Sequence, residues 1–304
     1  MSVFIDRNDR VLVQGITGSE GAFWTKHMID LGTAVVAGVT PAKEGQSVEG
    51  VPVFHTIRRA VAIHRANAAM LFVPPRFTKD AVFEALDSGF TKIVTIADGI
   101  PLQDAIQIRK AALSCGARVV GGNTSGVISP GFAMMGMFPY WIERVYKPGR
   151  IGVMTRSGSL TNEVTAMVVR AGFGVSSLIG VGGDPVPGTR FAEMLPDFQA
   201  DPDTDALVII GELGGTMEEE VADAMLSGVF TKPVVAFLGG RTAPAGKRMG
   251  HAGAIVTGGK GSVKDKIEAF GKAGALVADR PRLVGELLAG ILNESGKRKG
   301  PSQP

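Results

Sequence analysis

Along almost the whole chain, short runs of apolar and β-branched residues alternate with segments in which apolar positions recur every three or four residues. The first kind fits buried strands and the second fits helices packed by one face; their alternation predicts parallel sheets covered by helices. In the first half the predicted strands are Arg10 to Gln14, Ala34 to Val39, Ala68 to Val73, Lys92 to Ala97 and Arg118 to Gly121, with helices at Glu20 to Leu31, Thr56 to Arg65, Lys79 to Ser88 and Leu102 to Ser114. Regular alternation then stops in a stretch rich in Gly, Pro, Met and aromatics, punctuated by Pro130-Gly131 and Pro148-Gly149. It restarts with strands at Ile151 to Thr155, Val175 to Val181, Ala206 to Gly211, Val234 to Leu238 and Ala275 to Ala278, and helices at Leu160 to Ala171, Arg190 to Phe198, Glu218 to Ser227, Val263 to Ala273 and Arg282 to Asn293. The expected fold is α/β, with two doubly wound parallel-sheet domains: residues 1–130, a linking segment 131–149, and residues 150–304.

A length of 304 residues with 45% hydrophobic content agrees with two cores rather than one. Lys and Arg number 32 against 29 Asp and Glu, without a long block of one sign, so no nucleic-acid partner is expected. The apolar runs are strand-sized, far below the roughly 20 residues that span a bilayer. Met1 to Arg10 carries charge and no secretory apolar stretch. Cys115 is the only cysteine, which excludes an internal disulfide or a thiolate zinc cluster. No acidic cluster with metal-ligand spacing is evident, so no metal is expected on this chain. The expected setting is cytoplasmic, with no membrane contact.

Loops leaving strand carboxyl ends are where open α/β sheets bind ligands, and here they are rich in glycine. Gly15-Ile-Thr-Gly-Ser-Glu-Gly21 follows the first strand and opens a helix, so its amides can face an anion at the positive helix end. Its spacing is GxxGxxG, not GxGxxG. The second strand runs into Thr40-Pro-Ala-Lys43, where a lysine replaces the acidic residue that would hold a ribose hydroxyl, which counts against a nicotinamide-dependent oxidoreductase. Neither Gly182-Gly-Asp-Pro185 nor Gly258-Gly-Lys-Gly-Ser262 has the order of a P-loop. Ser157 lacks the GxSxG surroundings of a hydrolase nucleophile.

Of four histidines, His27, His55 and His64 sit in contexts of packing or surface. His251 lies among small residues in Lys247-Arg-Met-Gly-His-Ala-Gly-Ala254, beside basic charge. An imidazole that carries a phosphoryl group needs an acceptor for its other ring N–H and a preorganised anion site. Glu212, ending the strand that begins at Ala206, is the candidate acceptor, and the amides and hydroxyls of Ser157, Gly158 and Ser159 are the candidate anion site.

These residues resemble the alpha subunit of succinate-CoA ligase and its relative malate-CoA ligase from Ile5 to about Leu288. The motifs are Gln14-Gly-Ile-Thr-Gly-Ser-Glu-Gly21, Gly38-Val-Thr-Pro-Ala-Lys43, Gly99-Ile-Pro101, Arg156-Ser-Gly158, Gly180-Val-Gly-Gly-Asp-Pro185, Gly211-Glu-Leu-Gly-Gly215 and Gly246-Lys-Arg-Met-Gly-His-Ala-Gly-Ala254. The resemblance implies a Rossmann-like CoA-binding domain followed by a flavodoxin-like ligase domain. It implies His251 as the phosphorylated residue oriented by Glu212, and CoA contacts at Thr17, Gly18, Ser19, Glu20, Lys43, Ile96, Ala97 and Asp98. The implied reaction joins a small carboxylic acid to CoA at the cost of ATP or GTP, through acyl phosphate and phosphohistidine, within the tricarboxylic acid cycle. Nucleotide and magnesium would sit in an ATP-grasp beta subunit, in an αβ or (αβ)2 assembly.

The chain departs from the family on the substrate side. The family tyrosine associated with the carboxylate substrate is Asn162 here, which enlarges the site and adds an amide donor and acceptor. Gly121-Gly-Asn-Thr-Ser-Gly126 replaces a Gly-Pro-Asn-Cys motif, and Ala97-Asp98 replaces Thr-Glu. An acid other than succinate, malate or another short polar one, is therefore an open expectation. A non-catalytic CoA-binding subunit is the reading from a different class, against which the joint presence of His251, Glu212 and the Arg156 loop argues.

Overall fold

The computed structural model of the chain describes residues 2–242, 250–256 and 261–294. Contacts divide it into two compact units, one formed by Phe4–Phe138 with Gly180–Thr189 and the other by Pro139–Ile179, the chain from Arg190 onward and the residues up to Val3.

In the first unit the elements are β1 (Arg10–Gln14), α1 (Ser19–Leu31), β2 (Ala34–Val39), β3 (Ser47–Val48), β4 (Val51–Phe54), α2 (Ile57–Ile63), β5 (Ala68–Leu71), α3 (Pro75–Asp87), β6 (Lys92–Thr95), α4 (Leu102–Ser114), β7 (Arg118–Val120), β8 (Gly126–Ser129) and β9 (Ala133–Gly136). Strands β3 to β7 and β1, β2 lie in the order β3-β4-β2-β1-β5-β6-β7, parallel except for the short β3. Apart from β3, that is the order of the Rossmann fold, whose switch point falls between β1 and β5. Buried residues of the strands, among them Leu12, Ala37, Ala69 and Ile93, form a core with Ile57, Val82, Ala85 and Ile108 of the helices.

Two features depart from the sequence reading. Helix α3 starts at Pro75, four residues before the predicted Lys79, because proline at the first helical turn lacks only an N–H that the helix would not use. Within the stretch expected to be irregular, β8 and β9 form an antiparallel hairpin pairing Ser129 with Ala133 across Pro130-Gly131. Thr33 holds β9 to the end of α1, its hydroxyl donating to Met134 O at 2.9 Å and accepting from Met134 N at 2.8 Å.

The second unit contains β10 (Pro148–Thr155), α5 (Gly158–Arg170), β11 (Val175–Gly180), α6 (Phe191–Ala200), β12 (Ala206–Glu212), α7 (Met217–Leu226), β13 (Val234–Gly239), α8 (Val263–Lys272), β14 (Leu276–Ala278) and α9 (Leu283–Glu294). Its strands run β14-β13-β12-β10-β11. Counted within the unit this is 2-1-3-4-5, the flavodoxin order, with its switch point between β10 and β12. Strand β12 is buried at every position, as a central strand covered on both faces requires. Both units are thus parallel-dominated sheets wound with helices, as the alternation in the sequence predicts.

Candidate active site

The strand carboxyl ends, and the loops and helix starts that follow them, carry the residues singled out from sequence. In the first unit Gly15 has a φ of +77°, and a Cβ there would lie 2.1 Å from the carbonyl oxygen of Phe72, so the turn after β1 passes directly against the chain leaving β5. Gly21 allows a similar approach, since its Cβ would lie 2.2 Å from Gly15 O. Gly18 caps α1 without any side-chain hydrogen bond, so the first-turn amides are not consumed by a cap. Gly18, Ser19 and Glu20 are exposed and Thr17 is half-buried. The hydroxyl of Thr17 meets that of Thr40 at 3.2 Å, which ties the glycine loop to the turn bearing the exposed Lys43. His55 completes that turn: its Nδ1 accepts from Ala42 N at 2.9 Å, a local structural task. Beyond β6, Ile96 is half-buried, Ala97 buried and Asp98 exposed, and Ala97 O accepts from Asn123 N at 2.8 Å. Open amides at a helix start, hydroxyls and a nearby lysine suit the phosphates of CoA.

In the second unit the turn after β10 is laced by threonines. Ser157 N donates to Thr155 Oγ1 at 3.0 Å, Thr161 Oγ1 lies 2.8 Å from Thr155 Oγ1, and Thr161 also donates to Ser157 O. Ser157 is buried and caps α5, its hydroxyl accepting from Leu160 N at 3.4 Å, whereas Gly158 and Ser159 are exposed. Of the three residues expected to face an anion, Gly158 and Ser159 are therefore the exposed ones. Asn162 is exposed one turn further on, and its Oδ1 accepts from the hydroxyl of Tyr146. Tyr146 is buried, and burial pushes its phenol pKa up, so it stays a donor through the physiological range.

Glu212 ends β12 and brings the expected partner to His251: Glu212 Oε2 lies 2.8 Å from His251 Nδ1. A carboxylate accepts and does not donate, so in this pairing Nδ1 carries the hydrogen and the ring presents the lone pair of Nε2. Arg156 enters from the neighbouring strand end with NH2 3.3 Å from Glu212 Oε1, NH1 2.8 Å from Gly214 O and NH1 3.3 Å from Glu218 Oε1. Glu218 is wholly buried; burial pushes its carboxyl pKa up, but Arg156 and Lys266 outweigh that and hold it below the ordinary value. Gly246 to Met249 and Gly258 to Lys260 lie outside the described residues. Among the described residues no group of His, Cys, Asp and Glu could hold a metal ion, and no helix is long and apolar enough to cross a membrane.

Sequence reasoning missed Tyr146, Glu218 and Lys266. Lys266 left a readable trace, because it stands with Val263 and Phe270 at the buried positions of α8, where a solvent-facing lysine would break the stripe.

A Rossmann-ordered sheet followed by a flavodoxin-ordered one, with a histidine held by a carboxylate at the second switch point, is the layout of a CoA-ligase chain. Two domain families match accordingly, a CoA binding domain over residues 6–99 and a CoA-ligase domain over residues 154–276. The chain is 72% identical over 292 residues to the ADP-forming sulfoacetate-CoA ligase subunit SauD of Bilophila wadsworthia, covering 96% of this chain and 100% of that one. It is 74% identical over 288 residues to the ADP-forming sulfoacetate-CoA ligase subunit SqwL of an Acholeplasma species, covering 95% and 97%. The ADP-forming succinate-CoA ligase subunit alpha of Aquifex aeolicus is 47% identical over 294 residues, covering 96% and 95%. Among solved structures, ATP citrate lyase of Methanothrix soehngenii in complex with citrate and coenzyme A superposes with a TM-score of 0.90 at 25% identity, over 99% of this chain and 53% of that one. The chain belongs to the family of ADP-forming acid–CoA ligase alpha subunits, and is an acid–thiol ligase subunit.

Proposed function

We propose that this chain is the CoA-binding, phosphohistidine-carrying subunit of an ADP-forming ligase that converts sulfoacetate to its CoA thioester, working with an ATP-grasp subunit that holds ATP and magnesium. CoA binding is assigned to residues 1–130 and phosphoryl transfer to 150–304. The contact between His251 Nδ1 and Glu212 carries the mechanistic part of this reading, since it fixes the tautomer in which Nε2 is the nucleophile. The choice of acid follows the sulfoacetate-CoA ligase subunits at 72% and 74% identity over the succinate-CoA ligase subunit at 47%. Those relatives give no support to a place in the tricarboxylic acid cycle.

In the direction of thioester synthesis, Nε2 of His251 attacks the terminal phosphorus of ATP and ADP leaves. Glu212 stabilises the positive charge that grows on the ring, while Gly158 and Ser159 offer donors to the phosphoryl oxygens. The substrate carboxylate then takes the phosphoryl group, which restores neutral His251 and forms an acyl phosphate. Attack by the CoA sulfur on the acyl carbon forms the thioester and breaks the bond to the phosphate oxygen, and inorganic phosphate leaves with the thiol proton. A sulfonate at the far end of the acid stays singly negative at all working pH values and accepts hydrogen bonds without donating any. The amide of Asn162 suits it: with Oδ1 engaged by Tyr146, the NH2 group is left as donor.

The test is to produce the chain with its ATP-grasp subunit and measure ADP release in the presence of CoA and a panel of sulfoacetate, succinate and malate. Sulfoacetate should give the highest kcat/KM, and labelled ATP should leave an acid-labile, base-stable label on this chain that His251→Asn abolishes. A complex that prefers succinate, or a label that survives acid, defeats the respective half of the reading.

A further inference from the structure

We propose that Lys266 and Glu218 are positioning residues for phosphoryl transfer: a buried charge network that fixes the Glu212 main chain and divides Arg156 between two carboxylates. This rests on the reading of His251 as the phosphoryl carrier. Neither residue can touch substrate, because both side chains are fully buried.

The charged groups of the network converge on one short loop. The Lys266 ammonium has three protons and three acceptors: Glu218 Oε2 at 2.5 Å, Glu219 Oε2 at 2.8 Å and Gly215 O at 3.0 Å. The other oxygen of Glu218 accepts from Glu212 N at 3.1 Å and from Arg156 NH1 at 3.3 Å. Arg156 NH1 also reaches Gly214 O at 2.8 Å and Glu212 O at 3.4 Å. The main chain from Glu212 to Gly215 is therefore gripped at one N–H and three carbonyls by groups that cannot relax toward water.

That loop is also the seat of the histidine segment. Gly214 has a φ of +87°, and a Cβ there would lie 2.3 Å from Gly253 O and 2.7 Å from Ile255 N, so the chain just beyond His251 rests on bare backbone. Displacing the loop would move the carboxylate that orients the ring and the support of the ring together. Well-packed apolar side chains could fill the same volume with equal or greater stability. What they could not do is set the direction of Arg156. With Lys266 neutralising Glu218, Arg156 remains available to Glu212 Oε1 at 3.3 Å. Without Lys266, Glu218 has Arg156 as its principal counter-charge and draws it away.

The experiment uses the full chain in complex with its ATP-grasp subunit and measures three things: the rate of His251 phosphorylation from ATP by rapid quench, KM for CoA, and Tm. Lys266→Met should slow phosphorylation by about 10- to 150-fold, the range for loss of a charge-assisted contact expressed in the transition state, with KM for CoA unchanged. Lys266→Arg, which keeps the charge, should recover part of the rate. Since Lys266→Met leaves a buried carboxylate uncompensated and can fail to fold, the double variant Glu218→Gln/Lys266→Met is the second arm. It should recover Tm, yet phosphorylate slowly, because Glu212 N has lost its carboxylate acceptor and Arg156 has lost its second partner. Wild-type phosphorylation rates in either folded variant, or recovery of rate together with Tm in the double variant, would reduce the network to a packing role and overturn the proposal. A wild-type complex that takes no label on His251 overturns both this inference and the phosphohistidine reading; a labelled wild type with equally fast variants overturns this inference alone.

Discussion

Glu212 and His251 meet through one hydrogen bond, and on the proposed mechanism its task is to stabilise the positive charge that grows on the ring as Nε2 attacks phosphorus. Glu212→Gln should keep the fold and bind CoA but transfer phosphate roughly 10- to 150-fold more slowly, since a charge-assisted bond is worth about 1.5–3 kcal/mol; single-turnover labelling measures it. On the substrate side, Asn162→Tyr should move preference toward succinate, read as the ratio of kcat/KM across the acid panel, and an unchanged ratio would remove Asn162 from selection. Tyr146→Phe tests the other half of that pair, because it frees the Asn162 amide to turn. Loss of one neutral hydrogen bond should shift the sulfoacetate preference by a factor of about 2 to 10. The contact of His251 with Glu212 was legible in the sequence because motif and loop chemistry pointed to both. Tyr146 was not, since its partner lies on a different element and nothing in the local pattern marks a phenol as buried with its hydroxyl engaged.

At the scale of elements, strands and helices followed from apolar spacing, and the misreadings have identifiable causes. Proline at the start of α3 reads as a breaker although it suits that position, and in the β8–β9 hairpin only the Gly-Val-Ile-Ser strand carries β-branched residues, its partner being Ala-Met-Met-Gly. The close approach of α1 to the turn before it gives a sharp test. Gly21→Ala would place a methyl 2.2 Å from Gly15 O, and such overpacking costs about 1–3 kcal/mol, so CoA affinity by calorimetry should fall about 5- to 150-fold while the second unit remains folded. Helix α7 contributes a pH dependence. Because Glu218 has its folded pKa held down by Arg156 and Lys266, its stabilising effect is complete above the ordinary carboxylate value of 4.5 and is lost as pH falls through the lower folded value. Glu218→Gln should therefore lower stability at neutral pH and flatten its decline below pH 4.5, as followed by denaturant unfolding.

For the whole molecule, the division of labour makes a separate prediction: the chain alone should bind CoA and not ATP. It carries the glycine loop with Lys43 but no P-loop. Micromolar ATP binding in titration calorimetry, without CoA binding, would contradict it. The proposed catalytic assembly also has an unusual spread along the polypeptide. Arg156, Glu212, Glu218, His251 and Lys266 come from two strand ends, two helices and a loop, so no short fragment holds the site. On the proposed mechanism, incorporation of phosphate at His251 is thereby a reporter of conformational integrity. During refolding it should appear only with the last long-range pairings of β10 and β12, later than helical circular dichroism, and it can serve as a quantitative count of native molecules in any preparation.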